Sequence, residues 1–252
     1  MHKIKEYIPM KKLLLLMAGF VFAFNTYASH FSGGEIRYEF NGTNYDVYLT
    51  LYKICEGGAP LTNTAQVSLK SASQSYTGSI NMGFLGFDTV NVSCPLSASR
   101  CINPQATVPG YITARFAGTV SLPSAANDWV LSYSSGARIA SLANLGTGSA
   151  TMYVYTNLDN STAINSNPLM ASSPSYFMLV NTTTVIPLQA IDPEGDVLVY
   201  DLVAPQVAAG SNVTYATGYS ATAPLGTGGT ATINSTNNTL TLNSPTAGTF
   251  AI

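Results

Sequence analysis

Residues 35–40 alternate strictly: Ile36, Tyr38 and Phe40 fall on one side of an extended chain, and Glu35, Arg37 and Glu39 on the other. Successive side chains of a strand point to opposite faces, so a period of two with charge on one face and bulk on the other specifies a strand half-buried on a core. Asn41-Gly42 follows, a dipeptide suited to a tight turn. Alternation resumes over 45–55, with Val47, Leu49 and Leu51 on one face. Together these segments predict a β-hairpin. More strands are expected at 65–70, 111–116, 119–122, 129–133 and 150–155, separated by Gly, Pro, Asn and Ser clusters. No segment sustains a 3.6-residue period. Many short strands between turn signals predict an all-β chain, a β-sandwich or barrel.

The pattern breaks near 164–174. Asn165-Ser166-Asn167-Pro168 and Ser172-Ser173-Pro174 are uncharged and loop-like, which predicts a domain boundary. A second series of strands is expected at 176–180, 184–190, 197–202, 213–215, 231–233 and 239–242. Another begins at 249–252 with no turn or polar tail after it. A sandwich ending there would expose an edge, so the second domain is expected to be incomplete. The expected organisation is a leader over 1–28, an N-terminal β-sandwich over 29–165 and a second sandwich over 175–252.

The leader has three parts. Lys3, Lys5, Lys11 and Lys12 precede an apolar run over 13–24, and Asn25-Thr26-Tyr27-Ala28 follows with small residues at the positions a signal peptidase reads. This is the pattern of a secretory signal peptide cut after Ala28. The run is shorter than the ~20 residues a membrane span needs, and no other apolar stretch is long enough to cross. Of the 10 basic and 12 acidic residues, four and one lie in the leader, which leaves six against eleven. A mildly acidic chain lacks the clustered Lys and Arg that nucleic acids and anionic membranes require. Export also permits disulfides. Of Cys55, Cys94 and Cys101, the last two lie closest in sequence and are the cheapest pair to close, although spacing alone does not fix connectivity.

Two features bear on chemistry. Asp192-Pro193-Glu194-Gly195-Asp196 places carboxylates at alternate positions of a turn between strands. Asp192, Glu194 and Asp196 read either as three oxygen ligands of a Ca²⁺ site, which needs six or more, or as a plain acidic turn built on Pro193 and Gly195. Tyr48 with Tyr52, and Tyr153 with Tyr155, share strand faces; flat aromatics serve as stacking platforms for sugars or proteins, and tyrosine also covers half-buried sheets. Catalytic signatures are lacking: there is no G-x-S-x-G or H-E-x-x-H, and His30 is the only histidine beyond the leader. The chain is expected not to be an enzyme.

Several blocks resemble one family. Ser29-His30-Phe31-Ser32-Gly33-Gly34-Glu35-Ile36 after a leader is similar to the H-x-x-G-G-E-I opening of large Bacteroidota surface proteins. Leu49-Thr50-Leu51-Tyr52-Lys53-Ile54-Cys55-Glu56-Gly57-Gly58 and Asn127-Asp128-Trp129-Val130-Leu131-Ser132-Tyr133 resemble their next blocks. Ala190-Ile191-Asp192-Pro193-Glu194-Gly195-Asp196-Val197 is similar to the opening of cadherin-like and PKD-like repeats. Relatives are gliding-motility-associated or PKD-repeat proteins exported by the type IX secretion system. The resemblance implies two immunoglobulin- or cadherin-like sandwiches, display on or release from the cell surface, and a C-terminal sorting domain that 1–252 does not contain. Ser134-Ser135-Gly136-Ala137-Arg138 stands where relatives carry Cys-Cys-Arg-Asn, so the resemblance carries no disulfide there. The expected function is a structural or adhesive module of a larger surface protein, recognising a surface glycan or protein. The alternative is a glycan-binding module attached to an enzyme domain outside this chain.

Overall fold

The computed structural model describes residues 31–55, 63–90, 99–106, 110–170 and 177–252. The leader with its cleavage site, His30, Cys94 and part of the expected boundary lie outside them. The described residues form an all-β fold. No helix among them is long and apolar enough to cross a membrane.

The predicted hairpin is present. β1 (Phe31–Phe40) and β2 (Tyr45–Ile54) pair antiparallel, with Ile36 opposite Leu49 and Tyr38 opposite Val47. Their turn is capped by Asn41, whose Oδ1 accepts the amides of Thr43 (3.2 Å) and Asn44 (2.9 Å), while Gly42 takes φ of 97°. A side chain at Gly42 would strain that left-handed backbone.

Five more strands extend the sheet: β3 (Ala65–Ser71), β4 (Tyr76–Val90), β5 (Tyr111–Val120), β6 (Trp129–Ser135) and β7 (Met152–Leu158). Their spatial order is β1-β2-β5-β4-β3-β6-β7. The 15-residue β4 carries the curl, because its first half pairs with β3 and its second half with β5, with a register shift between Phe84 and Gly86. A strand that changes partners along its length lets one sheet fold over on itself, which brings β1 against β7. The inner faces meet in a core that fully buries Trp129, Phe116, Leu49, Leu69, Leu131, Leu158, Val47 and Val67. Each such side chain contributes about 1.5–3 kcal/mol by leaving water. Tyr76 meets Trp129 edge-on at 5.4 Å.

The turn after β3 is held from the start of the neighbouring strand β6. Asp128, beside Trp129, accepts the hydroxyls of Ser71 (2.6 Å) and Ser73 (2.7 Å) and the Ser73 amide (2.8 Å). These bonds, led by Ser71, favour the ionised form and hold its carboxyl down to about 2.

Within the described part of the expected boundary, Ser166 and Asn167 are tied to β1. Ser166 Oγ accepts the Phe40 amide and Asn167 Oδ1 accepts the Tyr38 amide, while the Asn167 amide donates to the Tyr38 carbonyl. These groups satisfy the open edge of β1, a row that otherwise invites pairing with another chain. At the other end of β1, the Phe31 amide donates to Ala137 O and the Ile139 amide to Phe31 O.

Beyond the boundary, β8 (Leu169–Met170) pairs with β10 (Ala190–Ile191), and β9 (Thr184–Pro187), β13 (Thr230–Asn234) and β14 (Thr239–Asn243) form a three-stranded sheet in the order β13-β14-β9. Ile186, Leu225, Leu240 and Leu242 make its small core. β11 (Gln206–Ala208) and β12 (Ser211–Asn212) instead join the first sheet, with Gln206 opposite Tyr153 of β7. The segments expected as strands at 197–202 and 213–215 are irregular, as are the described residues 177–180 of another. Val197 is 94% and Val199 79% exposed: alternation alone does not make a strand when no neighbouring strand supplies the ladder.

Asn144 ties the two parts together. It is fully buried, donates to the carbonyls of Pro224 (3.0 Å) and Ala251 (2.5 Å), and accepts the Ala251 amide (3.0 Å). Nearby, Ser149 donates to Thr214 O and accepts the Thr214 amide, and Arg138 donates to the Gln206 carbonyl at 2.7 Å.

The disulfide corrects the sequence expectation: Cys101 bonds Cys55, not Cys94. Cys55 follows β2, and its amide donates to Gly110 O, just before β5, where Gly110 lies against the Cys101 sulfur. Closing 46 residues instead of seven costs only about 1.7 kcal/mol more loop entropy, which the β2–β5 pairing readily offsets.

Candidate functional site

The described residues enclose a cavity of about 420 Å³ where the first sheet meets the second part of the chain. This is within the range of small-molecule sites, roughly 300–1,000 Å³. β1 contributes Ser32 and Glu35, Tyr111 opens β5, and the opposite wall is apolar, formed by Met170, Phe177, Leu202, Leu240 and Phe250 among others. Tyr111 and Phe177 approach to 6.0 Å between ring centroids.

Among the described residues, Glu35 is the acidic side chain that lines the cavity. The period-two alternation of β1 sends it to the face opposite Ile36, away from the core. Tyr52 is its diagonal neighbour across the hairpin, since Glu35 faces Thr50 and Tyr52 faces Gly33. The Tyr52 hydroxyl donates to Glu35 Oε1 at 3.0 Å. Burial, and then the Glu35 charge, push the Tyr52 phenol above its ordinary range, which keeps it a donor. The carboxylate is thus held by a neutral hydrogen bond and enters no ion pair among the described residues.

The acidic turn is located elsewhere. Asp192 Oδ1 accepts the amides of Glu194 and Asp196, both at 3.0 Å, and Glu194 Oε2 accepts the Ser166 amide at 3.2 Å. The side chain of Asp192 therefore caps its own loop, and Glu194 reaches back to the stitch along β1. No group of three metal-ligating side chains converges among the described residues. The turn's charges are felt at the hairpin tip: Tyr38 is pushed up to about 12, first by burial, then by Tyr45, and then by Glu194, Asp159 and Asp192.

Tyr153 and Tyr155 share the outer face of β7, with ring centroids 5.7 Å apart and planes inclined by 31°. Tyr155 is 47% exposed. Ser134 and Ser132 of β6 lie opposite them, Ser134 exposed and Ser132 buried. Tyr48 and Tyr52 divide differently: Tyr52 is buried beside Glu35, and Tyr48 carries the Arg37 guanidinium 4.2 Å above its ring.

The sequence reading placed Glu35 on an outer strand face but did not connect it with a cavity. The wall opposite comes from residues more than 130 positions further on, and no local signal announces that meeting. Comparison with known proteins gives no match: no family model, no curated protein and no solved structure. The class defined by the structure is therefore that of an all-β chain whose long antiparallel sheet curls around its core.

Proposed function

We propose that this chain is a non-enzymatic, exported module of a larger bacterial surface protein, serving structure and adhesion, with immunoglobulin- or cadherin-like relatives among exported repeat proteins. The observation that carries the reading is the Cys55–Cys101 disulfide, which staples the end of β2 beside β5. Such a bond persists in an oxidising compartment and is rare in a reducing one, and the leader over 1–28 supplies the route there. The interlock of Asn144, Ser149 and Arg138 adds to it, because a module between surface and partner must transmit load between its parts.

Glycan binding is the second reading, and the Tyr153–Tyr155 pair favours it. An exposed ring beside a half-buried one, with the exposed Ser134 opposite, offers a stacking surface with a hydrogen-bonding neighbour, the combination a sugar ring uses. The test is binding of purified residues 29–252 to an array of bacterial and host glycans and matrix proteins, with Tyr155→Ser alongside. Retention on glycans that Tyr155→Ser abolishes selects the second reading. Retention on proteins that survives the change selects adhesion. No retention on any of them overturns both.

A further inference from the structure

We infer that the cavity between the first sheet and the second part of the chain is a binding site for a small ligand with an apolar body and a protonated amine. Three observations carry this. The first is size: an apolar cavity of about 150 Å³ holds a benzene molecule, so about 420 Å³ accommodates a phenyl ring or branched alkyl body with a short arm. The second is the wall, where Met170, Phe177, Leu202, Leu240 and Phe250 present thioether, aromatic and branched surface that an apolar body covers.

The third is the sign of the charge. Glu35 lines the cavity as an ionisable acid, and one of its oxygens is held by a neutral phenol at 3.0 Å. Neither ion pair among the described residues uses Glu35; Arg37 is paired with Glu39 and Arg115 with Asp88. Among the described residues, no lysine or arginine lines the cavity. A carboxylate at the edge of an apolar space rewards a cation that brings its own apolar body, and it repels an anion of the same shape. The Tyr52 hydrogen bond fixes the carboxylate's orientation in advance, so little ordering remains to be done on binding. The site makes no use of the tyrosine pair on β7 and stands independently of the adhesive or glycan-binding reading.

The test uses residues 29–252 labelled with ¹³C at the methionine methyls. Met170 and Met178 line the cavity and report on it, while Met82 and Met152 sit in the first core and serve as controls. The probes are 2-phenylethylamine, 2-phenylethanol and phenylacetate, which share a ring and differ in charge. The amine is expected to give saturable shifts at Met170 and Met178 with Met82 unmoved, and to bind about fivefold more tightly than the alcohol, the scale of a half-exposed charge contact. Phenylacetate is expected to be the weakest. Glu35→Gln should bring the amine to the level of the alcohol, and Leu202→Trp, which fills the space, should abolish binding of all three. No saturable shift at either methyl up to about 10 mM amine, a Kd bound equivalent to little more than 2.7 kcal/mol, overturns the site. Equal binding of amine and phenylacetate, or an amine preference that survives Glu35→Gln, overturns the role of the carboxylate.

Discussion

Replacing Asn144 with alanine removes three hydrogen bonds at once and leaves their backbone partners in place. The Pro224 carbonyl loses its donor in a buried position, and at a partly buried one the Ala251 carbonyl loses its donor and the Ala251 amide its acceptor. A net loss of about 1 kcal/mol for each bond, with a further penalty for the stranded Pro224 oxygen, gives about 3–4 kcal/mol. That is a large share of the stability of an ordinary domain, about 5–15 kcal/mol. Trp129 is the only tryptophan and is fully buried, so urea unfolding followed by its fluorescence reports on the first core. If the two parts unfold together, Asn144→Ala lowers the urea midpoint with the slope unchanged. If the second part opens first, the tryptophan transition stays in place while amide exchange speeds up in 206–216 and 249–252. Asn144→Asp sets a carboxylate oxygen against the Pro224 and Ala251 carbonyls in a fully buried position and should cost at least as much as alanine. A loss below about 0.5 kcal/mol by fluorescence, with unchanged exchange in those segments, would refute the reasoning, because surface changes alone reach that size.

Cys55→Ser with Cys101→Ser opens a 46-residue loop and is expected to cost up to about 4 kcal/mol on the chain-entropy model, read as a lower denaturation midpoint; a non-reduced peptide map linking Cys94 to Cys101 would contradict the pairing. Asp128 has its pKa depressed in the fold, so its contribution is in full force above the unfolded value of about 3.9 and vanishes as pH falls through about 2. The Tm difference between the parent chain and Asp128→Asn should therefore be present at pH 5–7 and close toward pH 2; a difference that does not change with pH would refute the role of the ionised carboxylate. Trp129→Ala should cost about 3–5 kcal/mol, and a loss under 1 kcal/mol would mean that this core is not where the sheet closes.

The hairpin of β1 and β2 was legible because three signals agreed there: alternation, charge on one face only, and Asn41-Gly42 at the turn. β4 is not legible in the sequence because Gly78, Gly83 and Gly86 interrupt it with residues that mark turns elsewhere, whereas here they accompany a strand that bends between two partners. The expected strands at 111–116 and 119–122 are the single β5. Gly118 looks like a break, yet a side chain there would come within 2.9 Å of Asn81 O, so the glycine serves close packing. Asn165-Ser166-Asn167-Pro168 carries the composition of a linker, and the same short polar side chains hydrogen-bond the edge of β1. The Asp192 turn was legible as a turn, and its two readings differed only in where the carboxylates point, which composition does not encode. Cys94 was favoured over Cys55 by nearness along the chain, while the pairing of β2 with β5 decides nearness in space. The cavity was not legible, because Glu35 and the wall it faces belong to opposite ends of the chain.

Export to an oxidising cell surface is read by labelling intact cells of the native host with a membrane-impermeant biotin ester. The labelled chain is expected to begin at Ser29, and its non-reduced peptide map to contain Cys55 joined to Cys101. A chain labelled only after lysis, still carrying residues 1–28 and with Cys55 and Cys101 both as free thiols, would contradict it.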